Sequence, residues 1–278
     1  MHSENLNKII QWAEDKENIR ALIITGSLAS KGKRDILSDY DIALFGNRFE
    51  FIGNDEWLTE IADFLICVHD EFDFLGYQIP TRLTIFDENF KADFSFHPLE
   101  ILKKLSSAAV LPDAYNIGCK VLIDKDNALS KMPVPTFEGF KIKKPDPSEF
   151  KNNINEFWFE VYHVGKYLYR NDLWTAKLRD AAVKEKLLQM IGWNHASKCN
   201  WSFGPKNLGK GMKDWIDNSL WDEFNFCFGK FEKNDSLNAL KNTIKLYRKI
   251  TIETAKYLGY DYNFKLDESI TKFVDTIK

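Results

Sequence analysis

The stretch Ile23-Ile24-Thr25-Gly26-Ser27, followed after eleven residues by Asp39-Tyr40-Asp41-Ile42-Ala43-Leu44-Phe45, decides how the chain is read. Ala21 to Ile24 is a short apolar run that ends in glycine, as a buried strand entering a turn does, and Tyr40 to Phe45 is a second apolar and aromatic run. Both predict strands. Side chains alternate across a strand, so Asp39 and Asp41 project from one face with Cα atoms roughly 7 Å apart. Adjacent carboxylates at the end of an apolar strand repel each other and lose hydration, a cost that divalent cations offset.

Gly26 allows a tight strand-to-helix turn and close approach of a ligand, while the backbone N–H groups and hydroxyl of Ser27 can hold phosphate oxygens. Lys31, Lys33 and Arg34 follow and add positive charge. Taken singly, each piece has an ordinary reading: a structural turn, a solvated strand end, a wet basic loop. Together they form a phosphate cradle beside a dicarboxylate metal site, which points to phosphoryl or nucleotidyl transfer from a nucleoside triphosphate.

Composition narrows the partners. The 278 residues allow two ordinary domains, and 44% hydrophobic with 28% charged residues is a globular composition. A net charge of −3 argues against a general nucleic-acid binder and suits a polycationic small substrate if carboxylates gather at one cleft. Cys67, Cys119, Cys199 and Cys227 form no C-x-x-C pair, so neither a zinc knuckle nor a disulfide scaffold is indicated. With no basic and apolar leader and no long uncharged apolar run, the expectation is no membrane partner and a cytoplasmic location.

In chain order, Leu6, Ile9, Ile10 and Ala13 predict an amphipathic helix over residues 3–18. Leu28 to Ser38 reads as a loop over phosphates. Trp57, Leu58, Ile61, Ala62, Phe64 and Leu65 predict a helix from Asp55 to Phe64, whereas Ile66 to Tyr77 has no clear pattern. Arg82–Phe86 and Ala92–His97 read as strands around the polar turn Asp87–Lys91. Asp93 sits in the second, and a carboxylate in so aromatic a strand needs a partner or a metal unless it faces solvent. Pro98 opens a helix, and Val121–Asp124 is another short strand. The prolines at 133, 135, 145 and 147 mark residues 132–147 as a linker. Long helical stripes follow: Phe150 to Leu168, Leu173 to Ile191, Trp215 to Phe224, and Leu237 to Leu258 with Gly259 as its cap; Lys265 to Lys278 predicts a short last helix. The fold class is therefore α+β: an N-terminal mixed-sheet domain over residues 1–131, then a helical bundle over 148–278.

The order hydrophobic-Gly26-Ser27, eleven residues, Asp39-Tyr-Asp41-Ile resembles the signature of the DNA polymerase beta nucleotidyltransferase superfamily. With Ile85-Phe86 followed by Asp93, and with Asn155-Glu-Phe-Trp158, Arg170-Asn-Asp-Leu-Trp-Thr-Ala-Lys177 and Leu187-Leu-Gln-Met-Ile-Gly-Trp193, the chain is similar to the aminoglycoside 6-adenylyltransferases, the streptomycin-modifying branch. The resemblance covers most of the chain. It implies transfer of AMP from Mg-ATP to a hydroxyl of a streptomycin-like aminoglycoside, with pyrophosphate released. Asp39 and Asp41 would bind Mg2+, and Asp93 would be a further ligand or the base that takes the hydroxyl proton. Gly26, Ser27, Lys31, Lys33 and Arg34 would serve the nucleotide. Leu28 departs from the family pattern, which commonly has Arg there, so a phosphate contact is lost or shifted to a neighbouring cation. Alternative readings keep the nucleotidyl chemistry with another drug, metabolite or protein hydroxyl as acceptor, or keep nucleotide binding without turnover.

Six of the eight tryptophans lie beyond the linker, with several carboxylates among them. Aromatic faces attract cations and carboxylates pair with guanidinium groups, so Glu156, Trp158, Trp174 and Asp180 are candidates for binding the cationic acceptor, although most such residues in a bundle are core or solvated face. Oligomeric state is not legible.

Overall fold

A computed structural model describes residues 2–31, 35–87, 90–138, 141–202, 204 and 209–277. The chain divides into two compact units, Met1–Gly139 and Phe140–Lys278.

The first unit is built on a six-stranded mixed sheet in the order β3-β4-β5-β2-β1-β6. Its strands are β1 (Ile19–Thr25), β2 (Tyr40–Gly46), β3 (Phe64–Phe74), β4 (Tyr77–Phe86), β5 (Lys91–Pro98) and β6 (Lys120–Asp124). Its helices are α1 (His2–Asp15), the single turn α2 (Gly26–Ala29), α3 (Leu99–Ser106) and α4 (Asp113–Asn116). Strands β2 and β5 run parallel, and the other pairings are antiparallel. Because β1 and β2 are covered on both sides, they read as near-continuous apolar runs. One sheet face carries Leu22, Ile24, Tyr40, Ile42, Phe94 and Phe86 against Ile9 and Trp12 of α1. The other carries Ala21, Ile23, Ala43 and Phe45 against Ile101, Leu102 and Leu105 of α3.

Two sequence expectations change here. The stripe from Trp57 to Leu65 is not a helix over Asp55–Phe64 but a 3-10 turn, Glu56–Glu60, after which Phe64 opens β3. One short turn suffices to bury Trp57 and Leu58, with Trp57 stacked on Trp12 at 4.9 Å. The apolar run beyond it then pairs with β4. The unpatterned Ile66 to Tyr77 belongs to the β3–β4 hairpin, whose turn residues Leu75 and Gly76 both have positive φ (50° and 83°), as a two-residue hairpin turn with right-handed strands requires.

In the second unit, α5 (Pro147–Tyr169), α6 (Leu173–Lys198), α7 (Asn218–Phe224), α8 (Lys233–Leu258) and α9 (Phe264–Asp275) share one core. Asp146 starts α5 with a capping box to Glu149 and Pro147 in the first turn, and Gly259 ends α8 at φ 72°. The stripe Trp215–Phe224 is not one helix. Met212–Asp214 forms a 3-10 turn and α7 begins only at Asn218, so the apolar residues reach the core from two short segments. Asp267, buried, accepts from Arg248, Thr271 and Tyr262 and ties α9 to α8. Among the described residues no helix is long and apolar enough to cross a membrane.

Candidate active site

The sheet register assembles the site. Parallel pairing sets Asp41 of β2 opposite Asp93 of β5, and antiparallel pairing then sets Leu83 of β4 opposite Asp93 and Val68 of β3 opposite Leu83. Cross-strand partners share a face, and neighbouring strands are about 4.8 Å apart, so the two carboxylates meet near the start of both strands. Asp39 lies one residue before β2 and Lys91 opens β5, two residues before Asp93. The Lys91 Nζ donates to Asp93 Oδ2 at 2.7 Å and to Asp39 Oδ2 at 2.9 Å. Asp41 and Asp93 therefore face each other across two adjacent strands, and Lys91 links Asp93 to Asp39 just ahead of β2.

Gly26 completes the cluster by what it lacks. It sits at φ +67°, and a Cβ there would lie 1.6 Å from Asp41 Oδ2. Only glycine leaves room for the carboxylate against the β1–α2 turn. Ser27 follows on the first turn of α2, half-buried, and its carbonyl accepts from the Ser30 hydroxyl. Leu28 packs with the apolar layer on the α1 side of the sheet rather than presenting a polar group. Lys31 holds its ammonium 4.4 Å from the centre of the Phe137 ring. Lys33 and Arg34 lie outside the described residues.

Electrostatics distinguish Asp93. Burial pushes its carboxyl above the usual range, and the hydrogen bond and charge of Lys91 only partly oppose this. Its Oδ1 is buried and takes no hydrogen bond from any described residue. For Lys91, burial works against the charge but its bonds to Asp93 and Asp39 outweigh that and raise its pKa. Carboxylate oxygens are hard donors that suit a magnesium-like ion rather than a soft metal, and in this structure the Lys91 ammonium bridges those of Asp93 and Asp39.

The same face continues outward as an apolar shelf. Val68 and Ile85 are exposed and Leu83 is half-buried beside Asp93, while Asp70, in register with Thr81 and Ser95, adds an exposed carboxylate. On the opposite face Asp55, Cys67 and His69 bring donor atoms within 4.8 Å of one another. There Asp55 already receives His69 Nε2 at 2.9 Å and Arg82 Nε at 3.3 Å, so the group anchors the buried Arg82.

The candidates in the helical unit are scattered. Trp158 is fully buried in the bundle core and offers no surface to a ligand, a correction that follows from its place on the inward stripe of α5. Burying a side chain of that size contributes about 1.5–3 kcal/mol to stability, which is role enough. Glu156 pairs with Lys186 and Asp180 with Lys184, while Trp174 is 72% exposed. Sequence reasoning passed over Lys91 and the β3–β4 shelf. The i, i+2 spacing of Lys91 and Asp93 was the available signal for the first.

The streptomycin adenylyltransferase family model matches residues 1–277. Aminoglycoside 6-adenylyltransferases from Bacillus subtilis (strain 168), Staphylococcus aureus and Campylobacter jejuni are 29%, 28% and 26% identical to the chain. The alignments cover 99%, 98% and 96% of this chain and 96%, 96% and 92% of those proteins, respectively. With a family match over nearly its whole length and the carboxylate cluster in place on a mixed sheet, the chain belongs to the streptomycin adenylyltransferase family.

Proposed function

We propose that the protein transfers AMP from ATP to a hydroxyl of a streptomycin-like aminoglycoside and releases pyrophosphate. The observation that carries this reading is the meeting of Asp41 and Asp93 on parallel neighbours, bridged to Asp39 through Lys91 and set against the Gly26–Ser27 turn. Asp39, Asp41 and Asp93 would hold Mg2+, which when bound neutralises charge on the phosphate oxygens. The Gly26–Ser27 main chain would hold triphosphate oxygens, as backbone amides at the start of a helical turn do. Asp93 Oδ1, buried and without a hydrogen bond from any described residue, would take the proton of the acceptor hydroxyl. The shelf of Val68, Leu83 and Ile85 offers apolar surface to a ring, and Asp70 offers a carboxylate to a cationic group. We assign the helical unit to acceptor binding and place the protein in the cytoplasm, where Mg-ATP is at hand.

The test is an assay of Mg-ATP with a panel of aminoglycosides, following pyrophosphate and product mass. An AMP adduct of streptomycin is expected. Pyrophosphate release with no drug in the panel, but with another hydroxyl compound, would replace the acceptor; none with any acceptor would remove the transferase reading.

A further inference from the structure

A lysine fixed between two carboxylates has no place in a site whose oxygens coordinate a divalent ion, because the ammonium and the ion compete for the same atoms. Lys91 Nζ lies 2.7 Å from Asp93 Oδ2 and 2.9 Å from Asp39 Oδ2. Its side chain is 34% exposed, so the flexible stem has solvent to swing into. Meanwhile Leu28 packs in an apolar layer and Lys31 rests over Phe137, so neither brings a free cation to the triphosphate.

We propose that Lys91 is a resident counter-cation. In the nucleotide-free protein it neutralises Asp39 and Asp93, keeps them from repelling each other apart, and holds off free divalent metal. When metal and nucleotide arrive together, the ammonium leaves the carboxylates for the triphosphate oxygens, which supply the negative charge that it gives up. The exchange makes metal and nucleotide binding mutually dependent: each removes part of the cost of the other, and the coupling is reciprocal. The site thus stays closed to free metal and loads as the metal–nucleotide complex. This inference rests on the assignment of Asp39 and Asp93 as metal-binding carboxylates.

The experiment measures Mn2+ affinity, from the loss of the free-ion paramagnetic resonance signal, with and without the α,β-methylene analogue of ATP, which cannot transfer AMP. In the wild-type protein the analogue is expected to tighten Mn2+ binding by at least about 10-fold, within the usual span of coupling factors. Lys91→Met is expected to bind Mn2+ about 10-fold more tightly without nucleotide, to bind the analogue more weakly, and to show a coupling factor several-fold below that of wild type, the remainder being the direct contact of ion and phosphate. Lys91→Arg keeps the charge and should keep the weak metal affinity, which separates loss of charge from damage to the fold; thermal unfolding of both variants checks the latter. Unchanged or weaker Mn2+ binding in folded Lys91→Met, with coupling as in wild type, overturns the proposal. Asp39→Asn tests the assignment beneath it: if that variant binds Mn2+ as well as wild type, the carboxylate reading fails, whatever Lys91 does.

Discussion

Replacing Gly26 by alanine adds one methyl group in the tightest part of the site. Its Cβ would lie 1.6 Å from Asp41 Oδ2 and 2.6 Å from Asp41 Cγ, in a backbone held at φ +67°. Two costs are mixed there, and the structure supplies a way to separate them. Gly76, at φ +83° in the β3–β4 turn, has nothing within 4 Å of an added Cβ, so Gly76→Ala carries only the left-handed backbone cost, about 1–2 kcal/mol. Gly26→Ala carries that cost and also forces the Asp41 carboxylate from its place, at roughly 0.5–1.5 kcal/mol for a strained side-chain angle. The difference in stability between the two variants is therefore expected near 1 kcal/mol, read from urea unfolding. The difference in turnover should be far larger, because a carboxylate displaced by about 1 Å costs on the order of 100-fold. Pyrophosphate release at saturating Mg-ATP and acceptor measures it. Since both changes act through one carboxylate, Gly26→Ala should cost little more when Asp41 is already Asn. Turnover within about 3-fold of wild type in folded Gly26→Ala would refute the placement of Asp41 in the site.

Three further predictions follow from the same geometry. Asp41→Asn is expected to weaken Mg-ATP binding and turnover together, whereas Asp93→Asn should keep much of the nucleotide affinity and lose roughly 10²–10⁴-fold in single-turnover rate; equal loss of affinity in both would make Asp93 a metal ligand first. Asp55→Ala strands the buried Arg82 guanidinium with only the Thr81 and Ile52 carbonyls, so it should cost about 2–4 kcal/mol in urea unfolding, and Asp55→Asn clearly less. His97 is buried against Phe45, and burial lowers its pKa from 6.5 to about 4. The native state then binds fewer protons than the unfolded chain between those values, so stability falls as pH drops from about 6.5 to about 4, by up to about 3 kcal/mol, and His97→Phe should flatten that slope. A slope unchanged in His97→Phe would assign the acid loss to other groups.

What the sequence by itself determined is local. The apolar runs of β1 and β2, the glycine before Ser27, and the glycine that ends α8 are each written in a few consecutive residues, because period, turn and cap chemistry act over one or two turns of chain. The helical motifs beyond the prolines were legible for the same reason, and with the aspartates they were enough to indicate the family. The β3–β4 hairpin was not: much of β3 is exposed, so its residues show no alternation between core and solvent to read. Nor did the stripe around Trp57 reveal that a 3-10 turn, rather than a helix, would bury it. Above all, register is a long-range property. Nothing near Asp93 in the sequence states that β5 lies parallel to β2 with Asp93 opposite Asp41, and only that pairing brings Lys91 between Asp93 and Asp39. Tertiary structure likewise decided that Trp158 faces the bundle core while Trp174 stays at the surface, since which stripe of a helix is buried depends on the helices packed around it.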